Sequence, residues 1–110
     1  MARYLRGRGW SVLARNVRSR YGELDLVALD GGTLVFVEVK TRRGSPSWGL
    51  LAVGRAKQRR MVRTALRFLA THGLEEVPVR FDVVVVRREA ERFRILEHVE
   101  GAFCVPSGTA

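Results

Sequence analysis

Three side chains between Gly22 and Thr41 have the types and order that metal-assisted phosphodiester hydrolysis requires: Asp25, Glu38 and Lys40. Asp25 falls in one strand-like apolar run. Glu38 and Lys40 fall at the end of the next, Leu34-Val35-Phe36-Val37-Glu38-Val39-Lys40. Carboxylate oxygens are hard ligands suited to Mg2+ or Mn2+, which keep several waters and take only one or two protein carboxylates. A lysine ammonium beside them positions an attacking water and neutralises charge that develops on phosphorus. Of the 20 basic residues, 18 are Arg and only Lys40 and Lys57 are Lys. A compact, tunable ammonium is therefore kept at position 40 where a generic charge would be arginine.

The elements that must position this set are two strands and a turn. Asp30-Gly31-Gly32-Thr33 is a hairpin signal, because glycine supplies the positive φ of two-residue turns. Closing the turn on Gly31-Gly32 pairs residues whose numbers sum to 63. That register sets Asp25 opposite Glu38 and Glu23 opposite Lys40. Directly opposed carboxylates, with Cβ atoms about 5 Å apart, repel each other. A divalent cation converts that repulsion into coordination. The competing reading is a solvated hairpin face with Glu23–Lys40 a surface ion pair. The apolar run leading directly into Glu38 favours a site.

Further elements follow from period and punctuation. Residues 2–8 end a short helix at Gly7 and Gly9, and residues 10–17 read as a strand. The hairpin strands span 21–29 and 33–41. Residues 55–71 form a helix whose apolar stripe is Met61, Val62, Ala65, Leu66 and Leu69, between Gly54 and Gly73. Strands follow at 79–87 and 93–99. Residues 43–49 are a loop in which Trp48 packs in a core or dimer contact. Residues 1–103 make one domain, followed by a flexible tail at 104–110.

A net charge of +9 and a pI near 11.3 point to a polyanionic partner, nucleic acid before membrane and DNA before RNA. The helix at 55–71 carries no acidic residue, so Arg55, Lys57, Arg59, Arg60, Arg63 and Arg67, with Arg42 after the Lys40 strand, are the expected phosphate contacts. No apolar run approaches a membrane span, and the N-terminus lacks the apolar stretch of a signal peptide. The expected location is the cytoplasm. Cys104 is alone, which excludes a disulfide framework or a cysteine zinc site. Asp82 interrupts the otherwise apolar run Phe81–Val86. It supports the metal site, holds an arginine or satisfies a backbone donor. His98 is expected at the surface.

These motifs resemble the YraN family of uncharacterised bacterial proteins, related to Holliday-junction resolvases and restriction endonucleases. The resemblance spans residues 2–103 and rests on Arg15-Asn16, Gly22-Glu23-Leu24-Asp25-Leu26, Val35 through Arg42, Lys57, Arg80-Phe81-Asp82-Val83-Val84 and Gly101-Ala102-Phe103. It implies an α/β fold, a restriction-endonuclease-like mixed β-sheet flanked by helices. It also implies that Asp25 and Glu38 hold Mg2+ (or Mn2+), that the Val39 carbonyl adds a ligand and that Lys40 assists the water. Family members carry a Gly-Glu pair just before the first helix. Here that Glu is absent or encoded upstream; Glu23 is a candidate substitute, but the register pairs it with Lys40 instead. The expected function is a nucleic-acid-binding, Mg2+-dependent endonuclease on DNA, branched DNA included, with a homodimer addressing two strands. The alternatives are a non-catalytic nucleic-acid-binding module on a nuclease scaffold and a subunit whose basic face docks an acidic protein.

Overall fold

A computed structural model describes residues 1–42 and 54–103, without the side chain of Arg42. The elements are α1 (Ala2–Gly7), β1 (Ser11–Ser19), β2 (Gly22–Asp30), β3 (Thr33–Arg42), α2 (Arg55–His72), β4 (Val79–Glu89) and β5 (Arg92–Phe103). The strands form one mixed sheet in the order β1-β2-β3-β4-β5. Only β3 and β4 are parallel; the other neighbours are antiparallel. A parallel pair needs a long crossover, and α2 lies within the one joining β3 to β4. This is the α/β mixed sheet with helices that the sequence implies. Trp48, the loop at 43–49 and the segment 104–110 lie outside the described residues.

The strands alternate between two apolar layers. Leu34 and Phe36 of β3 and Phe81, Val83 and Val85 of β4 face α2, meeting Met61, Val62, Ala65, Phe68 and Leu69. Phe36 stacks on Phe81 with ring centroids 5.4 Å apart and meets Phe68 edge-on at 6.0 Å. On the opposite face Val35, Val37, Val84 and Val86 pack with Ala2, Leu5 and Trp10, so the six-residue α1 covers that layer. Being apolar on both sides, β3 and β4 read as continuous hydrophobic runs. Helix α2 ends as its sequence indicates, with Gly73 left-handed at φ 65° and its N–H returned to the last turn.

The hairpin register is the one that the turn residues dictate. Leu26 pairs with Val37, Val27 with Phe36 and Asp30 with Thr33. It ends sooner than expected, at Leu26–Val37. Leu24 and Val27 both pack toward α2 whereas Leu26 packs toward α1. Strict alternation would put residues 24 and 26 on one face, so the alternation of β2 breaks at Asp25 while its register with β1 is kept. Across from it, β1 makes the matching break at Asn16, which sits at φ 50° between the pairs Arg15–Leu26 and Val17–Leu24. The coupled kink carries β1 and β2 away from β3 at the level of Glu38.

Candidate metal and nucleic-acid site

The kink determines how the carboxylates meet. With the β2–β3 ladder ended, the Val39 N–H on that side has no strand partner. Asp25 Oδ2 accepts it at 2.7 Å. The Asp25 side chain therefore lies against the edge of β3, close enough to the Glu38 carboxyl to raise its pKa, instead of standing opposite it as a ladder partner. Glu23 does not reach Lys40. It pairs across β1 with Arg18, its oxygen 3.7 Å from Nε, because β2 has already diverged from β3. The expectation that Glu23 faces Lys40 is thereby corrected.

Glu38 is buried at the end of the apolar run, 6% exposed, and faces α2. Lys57, in the first turns of α2, brings Nζ to 2.7 Å from Oε2. Even so, Oε2 has no donor in good hydrogen-bond alignment among the described residues. Burial pushes the Glu38 carboxyl up to about 7; the Asp25 contact adds to the rise and Lys57 opposes it. Lys57 was expected among the phosphate contacts and is instead the counter-ion of this carboxylate. The lysine scarcity that singled out Lys40 applies equally to Lys57. Lys40 follows Glu38 by two residues on the same face, is half-buried, and has no ion pair among the described residues.

Beside Asp25, on the α1 side, is a cleft of about 240 Å³ lined by Asp25, Leu26 and Val39, by Arg15 and Asn16, and by Met1 and Ala2; Glu38 does not line it. The start of α1 thus borders the Asp25 carboxylate. Asp25, Glu38 and the Val39 N–H thus meet where the β2–β3 ladder ends, two carboxylates side by side. A divalent ion held there would be completed by water, since no group of three His, Cys, Asp or Glu gathers among the described residues.

Asp82 stands apart from this set. It is wholly buried, and its oxygens accept from Arg80 Nε at 2.9 Å, Arg80 Nη2 at 3.1 Å, His98 Nε2 at 2.9 Å and the Gly101 N–H at 3.0 Å. Two acceptor sites on each oxygen are thereby filled. Of the roles open to it from sequence, Asp82 takes the arginine and the backbone donor and leaves none for a metal. His98 is not a surface residue: its side chain is 6% exposed, with Nδ1 on the Tyr4 hydroxyl at 2.7 Å. Nothing local in Glu97-His98-Val99 signals this, because its partners lie 16 and 94 residues away.

The cations of α2 divide by position. Arg55, Arg59, Arg60, Arg63 and Arg67 are exposed. Arg60, Arg63 and Arg67 border the β1–β2 turn, where Arg63 lies 5.6 Å from the Tyr21 ring.

Residues 1–86 match the model of the uncharacterised protein family UPF0102. The chain belongs to this family. A UPF0102 protein of Synechococcus sp. (strain JA-3-3Ab) is 47% identical over 108 residues, covering 91% of this chain and 82% of the relative. One from Syntrophotalea carbinolica is 49% identical over 105 residues, covering 94% and 85%. UPF0102 protein STH1475 of Symbiobacterium thermophilum reaches 56% over 87 residues, covering 77% and 73%. Among the described residues no helix is long and apolar enough to cross a membrane.

Proposed function

We propose that this UPF0102 protein binds nucleic acid, DNA before RNA, and hydrolyses its phosphodiesters with Mg2+ or Mn2+ held by Asp25, Glu38 and the Val39 carbonyl. The observation that carries this reading is Glu38: a buried carboxylate adjoining a second carboxylate, with a single ammonium beside the two among the described residues. A structural carboxylate is normally satisfied on every side, as Asp82 is. A bound divalent cation supplies Lewis-acid charge neutralisation at a phosphate oxygen. Lys40, on the Glu38 face, holds an attacking water by hydrogen bond and offsets negative charge at phosphorus. Lys57 favours the ionised form of Glu38 against the effect of burial, and the arginines of α2 hold the backbone of the strand. In a homodimer two such sites would address the two strands of a branched substrate.

A melting scan with and without Mn2+ tests the site, because a ligand selective for the native state raises the midpoint. The wild-type midpoint should rise, and Glu38→Gln should abolish the rise. Incubation with plasmid and four-way-junction DNA in Mg2+ or Mn2+ tests the reaction. Cleavage that survives both Asp25→Asn and Lys40→Ala would overturn the assignment of residues, and no cleavage of any DNA would overturn the activity.

The second reading, a non-catalytic nucleic-acid-binding module, is favoured by one observation. Lys57 already supplies Glu38 with a cation. It predicts metal-independent, salt-sensitive binding that tolerates Lys40→Ala and weakens on substitution of Arg59 or Arg63.

A further inference from the structure

The turn between β1 and β2 was not among the expected contacts, yet it is built against the basic helix. Ser19 Oγ accepts the Tyr21 N–H at 3.0 Å and lies 2.9 Å from Thr64 Oγ1, which donates to the Arg60 carbonyl at 3.0 Å. That chain of hydroxyls fixes the turn to the middle of α2. A Cβ placed on Gly22 would lie only 3.5 Å from Arg60 Cβ, so the backbones are close. The hydroxyls are consumed in this internal docking, and the charges are what reach the surface.

Those charges are nearly all of one sign. Arg20 donates to the Tyr21 hydroxyl at 2.9 Å with its guanidinium 5.0 Å from the ring, and Arg63 approaches the same ring at 5.6 Å. The Arg20 hydrogen bond pulls the Tyr21 hydroxyl below the usual phenol range, and Arg63 and Arg67 add to the pull. Behind the turn, Arg18 and Arg67 rim a cavity of about 170 Å³ between β1 and α2. The acidic side chain paired here is Glu23, 3.7 Å from Arg18. Along α2, beyond the Lys57–Glu38 pair, the row Arg60, Arg63, Arg67 runs past the turn. At 1.5 Å per residue it covers about 10 Å, the rise of roughly three nucleotides of one duplex strand.

We propose that the β1–β2 turn and this flank of α2 form one phosphate-backbone track leading away from the carboxylate pair, in which Tyr21 holds the Arg20 and Arg63 guanidiniums in place for successive phosphates. The partner is a nucleic-acid strand, and the inference rests on the nucleic-acid reading above. Tyr21 is a positioning residue: it carries no positive charge itself but orders two groups that do. An acidic protein surface would present carboxylates without the regular spacing that such a row matches.

Fluorescence anisotropy with a labelled DNA duplex in EDTA tests the track without any contribution from metal or cleavage. Arg20→Gln and Arg63→Gln should each weaken binding about eightfold at 0.1 M salt and flatten the log–log salt dependence by about 0.9, the loss of one phosphate contact. Tyr21→Ala should weaken binding although it removes no charge, and Tyr21→Phe, which keeps the ring, should recover part of it. Arg88→Gln, an exposed arginine on β4, is the control and should bind like wild type. Turn variants that bind like wild type, or a control that loses as much as they do, would overturn the track while leaving DNA binding in place. A wild-type protein that binds no DNA at low salt would instead overturn the nucleic-acid reading, and the track with it.

Discussion

Glu38 and Asp82 are both buried carboxylates on central strands, and their environments drive them in opposite directions. Burial alone raises the pKa of each. At Asp82 that rise is outweighed by hydrogen bonds from His98, Arg80 and the Gly101 amide, and the carboxyl is held below its usual range. At Glu38 burial and the Asp25 contact prevail over a single ammonium, and the carboxyl rises to about 7. Similar burial thus contrasts a carboxylate with four donors and one with a single ammonium beside it among the described residues. The shortage lies where two strands diverge; the completed cluster lies where α1, β4 and β5 converge.

The widest expected gap between the two is in stability. Asp82→Ala leaves Arg80 and His98 without their shared acceptor, and removing one member of a buried charged network costs about 3–5 kcal/mol. Urea denaturation should show that loss. A cost under about 1 kcal/mol would mean that the cluster does not hold β5 and α1 in place. Glu38→Gln should behave differently in metal-free buffer at pH 8. Gln mimics the protonated carboxyl that burial favours, so at this pH the variant should be at least as stable as wild type.

The pH profiles should differ in sign. A carboxyl raised in the folded state favours folding while it is protonated. Glu38 therefore stabilises most below its ordinary value of 4.5, and that contribution erodes as pH rises to about 7. Asp82, depressed in the folded state, contributes above its ordinary value of 3.8 and loses that contribution as pH falls further. Subtracting the Glu38→Gln stability curve from that of wild type should isolate a decline between pH 4.5 and 7. A flat difference would break the comparison. The smallest expected effect is at Arg18–Glu23, where Glu23→Gln should cost no more than about 0–1 kcal/mol, as exposed pairs do.

How far the sequence reveals this follows from the range of the interactions. The glycine turn fixed the β2–β3 register because both strands start from it. The apolar stripe and flanking glycines defined α2 because those signals are local. The end of the ladder was not legible: it depends on Asn16 and Asp25 breaking alternation together, and neither residue type announces a bulge. Lys57 was hidden among six arginines and lysines of one helix, although its being lysine was the available clue. His98 was misplaced because its acceptor sits on another strand. Family membership was legible from motifs, since residues 1–86 match UPF0102.

The attachment of α1 also bears on how the chain emerges during synthesis. Tyr4 is held by His98, and Arg8 by Glu100, so the first helix is tied to the last strand across more than ninety residues. Met1 and Ala2, at the start of that helix, close the cleft beside Asp25. A nascent chain that has released β1 through β4 from the ribosome owns both carboxylates and the apolar bed of α1 on β3 and β4, but lacks the ties from Tyr4 and Arg8 to β5. The wall of the Asp25 cleft gains its full set of anchors only when the closing strand arrives.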